Sequence, residues 1–309
     1  MRQAVKNRWR EWRLRRMDAR GMRLVLGTPP VPVRGDGDVE VHMLLCHRDV
    51  GLGLQGLKSF YRFAPEPYAL VIHDDGSLDA QDRERLARHF PGVRVIGAAE
   101  AFERVDAELA RLGLERCREL RRTFVLAIRV FDFPLLAAGK MVLQLDPDVI
   151  FLEPPTELLA ALSNPDPRAP IRFNLDVKPG YCWTDDEIRN TIGFAPVTQL
   201  NGGLLTIRYD AAELPAMWAL VERCLALPVP PPLKWLTEQT LFAVIAGWRG
   251  GLALPPEYDV CARLLRQGRE DLIAHHCIDH QRPYFYHAFM TRVAPALLAQ
   301  AAPRTADVR

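Results

Sequence analysis

Residues 141–153 read MVLQLDPDVIFLE. An apolar run stops at Asp146-Pro147-Asp148 and resumes at Val149, so two carboxylates stand at the end of an expected buried strand. In an extended segment residues i and i+2 share a face, which sends both acids into one crevice. Two like charges about 4 Å apart repel by roughly 1 kcal/mol even in water, so the pair calls for a cation. Carboxylate oxygens suit Mg²⁺ or Mn²⁺, ions that typically bridge to phosphate oxygens of a ligand. The competing reading is a plain turn, since Asp and Pro both favour turns.

Two earlier segments have the same form. VEVHMLLCHRD (39–49) ends in His47-Arg48-Asp49, and YALVIHDDGS (68–77) carries His73-Asp74-Asp75. GLGLQGLKSFYRF and LDAQDRERLARHF read as helices behind them, and VRVIGA as a third strand. This alternation predicts an α/β fold with a mostly parallel sheet and helices on both faces. LNGGLLTIR (200–208) adds a strand, and helices are expected within about 100–138, 211–226 and 236–247. Ligands of such sheets collect at the carboxyl ends of the strands. His47, Arg48, His73, Asp74 and Asp75 are therefore candidates for holding a nucleotide, the acids by accepting from a base or ribose.

The 309 residues suit one large domain or two closely joined ones. No stretch approaches the roughly 18 apolar residues of a membrane span, and the arginine-rich start lacks the apolar core of a signal peptide. The six cysteines form no CxxC pair, which speaks for reduced thiols and against a zinc site or disulfide scaffold. Residues 1–23 hold nine Lys or Arg against Glu11 and Asp18, a balance of +7 that leaves −5 for the rest of the +2 chain. The body thus gives no reason to expect nucleic-acid binding. The basic arm has three readings: a solvated tail, a helix docked on the body, or an anchor for anionic lipid. The expected layout is a basic arm (1–26), a Pro- and Gly-rich linker (27–38), the main α/β domain (39–295) and a C-terminal tail (296–309).

An apolar strand, a DxD motif and then Val-Ile-Phe-Leu resembles the nucleotide-sugar glycosyltransferases of the GT-A fold. The likeness is nearest the retaining branch that holds glycogenin and the bacterial lipopolysaccharide galactosyltransferases. The resemblance implies that Asp146 and Asp148 bind Mn²⁺ or Mg²⁺, which holds the donor diphosphate. It assigns Arg129, 17 residues before Asp146, to the donor. Asn201-Gly202-Gly203 looks like the branch's Asn-x-Gly strand, which frames sugar and acceptor and makes Asn201 and Gly202 donor-side candidates. Glu238-Gln239 stands where the branch has Asp-Gln. For the branch's metal-binding His with a basic residue about six positions on, YFYHAFMTR offers His287 and Arg292, with His280 as the rival ligand. The sequence departs from the pattern at Glu238, in the missing Gly and Lys-Pro-Trp after the histidine, and in HDDGS, which is closer to inverting enzymes.

The implied reaction transfers a sugar from a nucleotide diphosphate, UDP favoured, to a hydroxyl of a glycan or lipid-linked acceptor, retention slightly favoured. The alternatives are a nucleotidyltransferase and a non-catalytic nucleotide-sugar-binding protein. The expected location is the cytoplasm, with contact at the inner face of a membrane if the arm is an anchor.

Overall fold

Apolar runs that end in acids become buried strands whose carboxyl ends line up. The computed structural model describes residues 2–137, 139–261 and 271–301. A helix, α1 (Arg2–Leu26), precedes β1 (Val39–Leu45), α2 (Val50–Tyr61), β2 (Ala69–Asp74), α3 (Ala80–His89) and β3 (Arg94–Ile96). Three helices, α4 (Ala98–Arg111), α5 (Glu115–Thr123) and α6 (Ala127–Leu136), lead to β4 (Met141–Leu145) and β5 (Val149–Phe151). Next come α7 (Thr156–Leu162), β6 (Ile171–Leu175), α8 (Asp185–Ile192), β7 (Leu200–Arg208), α9 (Leu214–Cys224) and α10 (Thr237–Arg249). The remainder is β8 (Gly251–Ala253), β9 (Tyr258–Val260), β10 (Ala274–His276), α11 (Arg282–Ala288) and α12 (Ala294–Ala301).

Seven strands form one sheet in the order β3-β2-β1-β4-β7-β6-β8. The first four run parallel, and β7 is antiparallel to both β4 and β6. Side chains alternate across it as a period of two requires. Met141, Leu143 and Leu145 join the core beneath α2, while Val142 joins the core built around Phe131, Trp218 and Phe242. This is the mostly parallel α/β sheet expected from the sequence. A second, three-stranded sheet, β5-β10-β9, was not foreseen. Its β5 continues from the Asp-Pro-Asp segment and pairs antiparallel with β10, Val149 opposite His276.

Residues 27–38 do more than tether. Val31 and Val33 donate to the His89 and Pro91 carbonyls, Arg34 bridges to Ala69, and Val33 is buried. Of the three readings of the arm, the docked helix describes its packing. Leu14, Met17 and Met22 lie against the core, and Val25 is fully buried. Residues 302–309 of the expected tail lie outside the described residues, and Leu297 before them is buried in α12. No disulfide joins any of the six cysteines. Among the described residues no helix is long and apolar enough to cross a membrane.

Candidate active site

Asp146-Pro147-Asp148 is both a turn and a convergence of acids. Val149 N–H donates to the Asp146 carbonyl at 3.2 Å, closing a turn with Pro147 at a position proline favours. The carboxylates therefore converge through this turn and not through an extended i, i+2 pair. The turn is anchored on both sides: Asp146 N–H donates to Gly203, and Cys277 N–H to the Asp148 carbonyl. Helix α2 crosses close behind it, because a Cβ at Gly56 would stand 2.8 Å from the Val149 carbonyl oxygen.

The histidine beside these acids is His276, at the end of β10. Its Nε2 lies 3.1 Å from Asp148 Oδ1 and 3.6 Å from Asp146 Oδ2. One ligand atom from each of the three falls within 4.8 Å of the others. The tautomer follows from Asn201. Its Oδ1 accepts the Gly203 N–H at 3.0 Å, so that atom is an acceptor, and it also lies 2.7 Å from His276 Nδ1. Nδ1 must carry a proton, which turns the Nε2 position toward the two carboxylates. Burial opposes protonation of His276, yet Asp148 and Asp146 outweigh it and hold its pKa above the ordinary value. Gly203 has to be glycine here, since a Cβ would collide with the imidazole.

The expected ligand His287 stands outside this cluster. It is exposed on α11, whose buried face presents Phe285 and Tyr286 instead; the rival His280 is exposed as well. Arg292 also departs from expectation, pairing with Glu153 at 2.6 Å on the surface. The cation that stands beside the acids in its place is Arg282, six positions past His276. It donates to Asp49 at 2.9 Å and lies 3.6 Å from Asp148. The interval of about six that the resemblance supplied was therefore a usable signal, met by His276 and Arg282 and missed by one in His287 and Arg292.

Arg129 lies under the turn, 4% exposed. Its guanidinium sits 3.1 Å from Asp146 and 3.1 Å from Glu238, and it donates to the Gly202 carbonyl, which Gln144 also reaches. Glu238 is sealed in by α10 and β7, and burial pushes its pKa up to about 7 despite the nearby Arg129. Burial likewise raises Asp146, against the pull of Arg129 and His276. Gln239 accepts from Gly202 N–H and donates to the Gly180 carbonyl at 3.0 Å. Asp176, unremarked in the sequence, receives the Asn201 amide at 3.1 Å.

A cavity of ≈ 350 Å³ opens above the turn, within the range of small-ligand sites. Asp146, Asp148, Arg129, Arg282, Arg48 and Asp75 are among its walls. Three of the five strand-end nucleotide candidates are elsewhere. His73 is buried between His42 and Phe133. Asp74 accepts from Gly76 N–H and Leu78 N–H and pairs with Arg83. His47 is turned to Asp82 at 2.6 Å; although His47, Asp79 and Asp82 have metal-like spacing, both acids are engaged in the capping box of α3.

Comparison with protein-family models and with curated protein sequences gives no match. Solved structures do match in shape. Mouse xyloside xylosyltransferase 1, in its apo form, superposes with a TM-score of 0.52 at 12% identity, covering 82% of this chain and 99% of that one. The WbbM bifunctional glycosyltransferase gives 0.52 at 13% identity, with 86% of this chain matched to 52% of that one. GlyE of Streptococcus pneumoniae TIGR4 gives 0.50 at 12% identity, over 86% and 63%. The chain thus spans nearly all of the first and between half and two thirds of the other two. It has the fold of the GT-A glycosyltransferases, with an acidic pair at the carboxyl end of the parallel strands.

Proposed function

We propose that the protein is a metal-dependent glycosyltransferase that moves a sugar from a nucleotide diphosphate, UDP favoured, to a hydroxyl of a glycan or lipid-linked acceptor. The observation that carries this is the triad of Asp146, Asp148 and His276, with Asn201 fixing the tautomer that aims Nε2 at the acids. Two carboxylates and one imidazole, whose Nε2 proton a bound cation would displace, suit Mn²⁺ or Mg²⁺, and a hydrogen bond on the far nitrogen is the usual support of a metal-binding histidine. The ion, when bound, supplies Lewis-acid stabilisation of the charge growing on a leaving diphosphate.

The chain's own groups do the rest. Arg282 and Arg129 are fixed cations in the cavity wall, held by carboxylates so that little reorganisation is needed as charge develops. Asp75 and Arg48 stand at the β1 and β2 end of the cavity, in reach of a nucleoside. Glu238 is 4% exposed and tied to Arg129, which makes it a poor base for an incoming hydroxyl. That supports retention, with the leaving phosphate taking the acceptor proton and Glu238 and Gln239 shaping the site from behind.

The test is a melting panel of nucleotide diphosphates with and without Mn²⁺, followed by donor turnover. UDP at a hundred times its Kd should stabilise the fold by about 2.7 kcal/mol, and only with the metal. A protein indifferent to every nucleotide diphosphate in Mn²⁺ would remove the reading.

A further inference from the structure

Helix α1 has two faces, and only one belongs to the body. Leu14, Met22 and Val25 pack inward, and Asp18 accepts the Tyr286 hydroxyl at 2.9 Å. At about 100° per residue, Trp9, Trp12, Arg13, Arg16, Arg20 and Arg23 fall within one arc of about 100° on the opposite side. All six are exposed, the tryptophans at 59% and 52%. The Arg13 guanidinium lies 5.8 Å from the Trp9 ring centre, and that of Arg16 lies 4.7 Å from Trp12. The same helical spacing turns Glu11 and Asp18 toward the body side, so the outward arc holds no acid.

We propose that this face docks the protein on an anionic lipid surface. Indole rings are apolar with one polar edge and settle at the bilayer interface. Arginines beside them would meet lipid phosphates. The charge distribution fixes the orientation: residues 1–23 carry +7 and the rest of the chain −5. Attraction is therefore confined to α1, which lies along the surface while the body is held off it. A nucleic acid strand long enough to leave α1 would meet the negative body, which is why lipid is the favoured occupant. Through Asp18 on its body-side face the same helix touches Tyr286 of α11, one turn from Arg282, so the helix that carries the docking face is braced against the cavity wall.

The test reads binding alone and is independent of the transfer reading. The full chain is sedimented with vesicles of phosphatidylcholine and with vesicles that also contain phosphatidylserine, and mixed separately with duplex DNA. It should bind the anionic vesicles and leave the neutral ones largely free. Arg13→Gln with Arg16→Gln should weaken binding about 25-fold, at roughly fivefold per charge. Trp9→Ala with Trp12→Ala should weaken it about tenfold or more. Because all four side chains face solvent, melting curves should match the wild type. Absence of anionic-vesicle binding overturns the proposal. So does binding that ignores the tryptophans and is equalled by DNA, which would reveal a general attraction to polyanions.

Discussion

Two pairs of aspartates close two parallel strands of this sheet, Asp74-Asp75 after β2 and Asp146-Asp148 after β4. In the sequence they look alike, an apolar run handing over to acids. The structure separates them by what their oxygens accept. Asp74 takes two backbone N–H groups and Arg83, and Asp75 takes the amide and hydroxyl of Ser77. That pair begins a turn and holds it. Among the described residues, the carboxylates of Asp146 and Asp148 receive no backbone N–H and face Arg129, Arg282 and His276 from other elements. An acid satisfied by its own loop has a structural task; an acid left to distant cations has room for a ligand. Asp75 is intermediate, since it also borders the cavity.

The largest expected effect tests this difference directly. Asp148→Asn keeps the shape of the side chain and removes one charge. It should cut Mn²⁺-dependent affinity for UDP by at least about a hundredfold, or ~2.7 kcal/mol, with stability within about 1 kcal/mol of the wild type. Asp74→Asn should do the reverse. Its two amide bonds survive but the Arg83 pairing weakens, for a loss of about 1 kcal/mol of stability and little change in UDP affinity. Calorimetric titration with a melting curve on each variant reads both quantities. Equal affinities in the two variants would dissolve the distinction.

The second contrast is between histidines. His276→Ala should lower metal-dependent affinity, and Asn201→Ala should lower it through loss of the Nδ1 partner, each by about tenfold to a hundredfold. His287→Ala should change nothing measurable, because the side chain is exposed on the outer face of α11. If His287 proves the sensitive one, the ligand set drawn from the geometry is mistaken.

Those histidines also mark where the sequence stops being legible. The sheet, its mostly parallel sense and the acids at its strand ends could be read because each signal is local, a run, a period or a turn, whereas Arg129 came only with the resemblance. For His276 the six-residue interval to Arg282 is the one local signal, and it says nothing of the acids the ring meets. The ring reaches the acids through pairing of two three-residue strands, β5 and β10, that are more than 120 residues apart in the chain. Its neighbour His275 points the other way, fully buried near Asp259 and Tyr284, so adjacency alone offers no choice between them. Asp74 and His73 failed for another reason. Burial and loop amides claimed them, and neither leaves a trace in residue type.

The smallest effect concerns Glu238, another acid of the site and one that also lacks a backbone donor among the described residues. Burial sets its pKa near 7, against 4.5 for the free side chain, with Arg129 opposing the rise. A carboxyl raised on folding binds more protons in the native state than in the unfolded one between those two values. Its contribution to stability is therefore complete below pH 4.5 and is lost as pH rises through about 7. Across that interval each pH unit is worth about 1.4 kcal/mol, and water reaching the ionised group softens it. The expected loss between pH 5 and pH 8 is roughly 1–2 kcal/mol. Glu238→Gln has the shape of the protonated acid and no proton to release, so its stability should match the wild type at pH 5 and exceed it at pH 8. Denaturant titrations of both proteins at the two pH values give the four numbers needed. Parallel pH dependence in the two would mean that Arg129 already holds Glu238 ionised when folded, and that its burial does not set its charge.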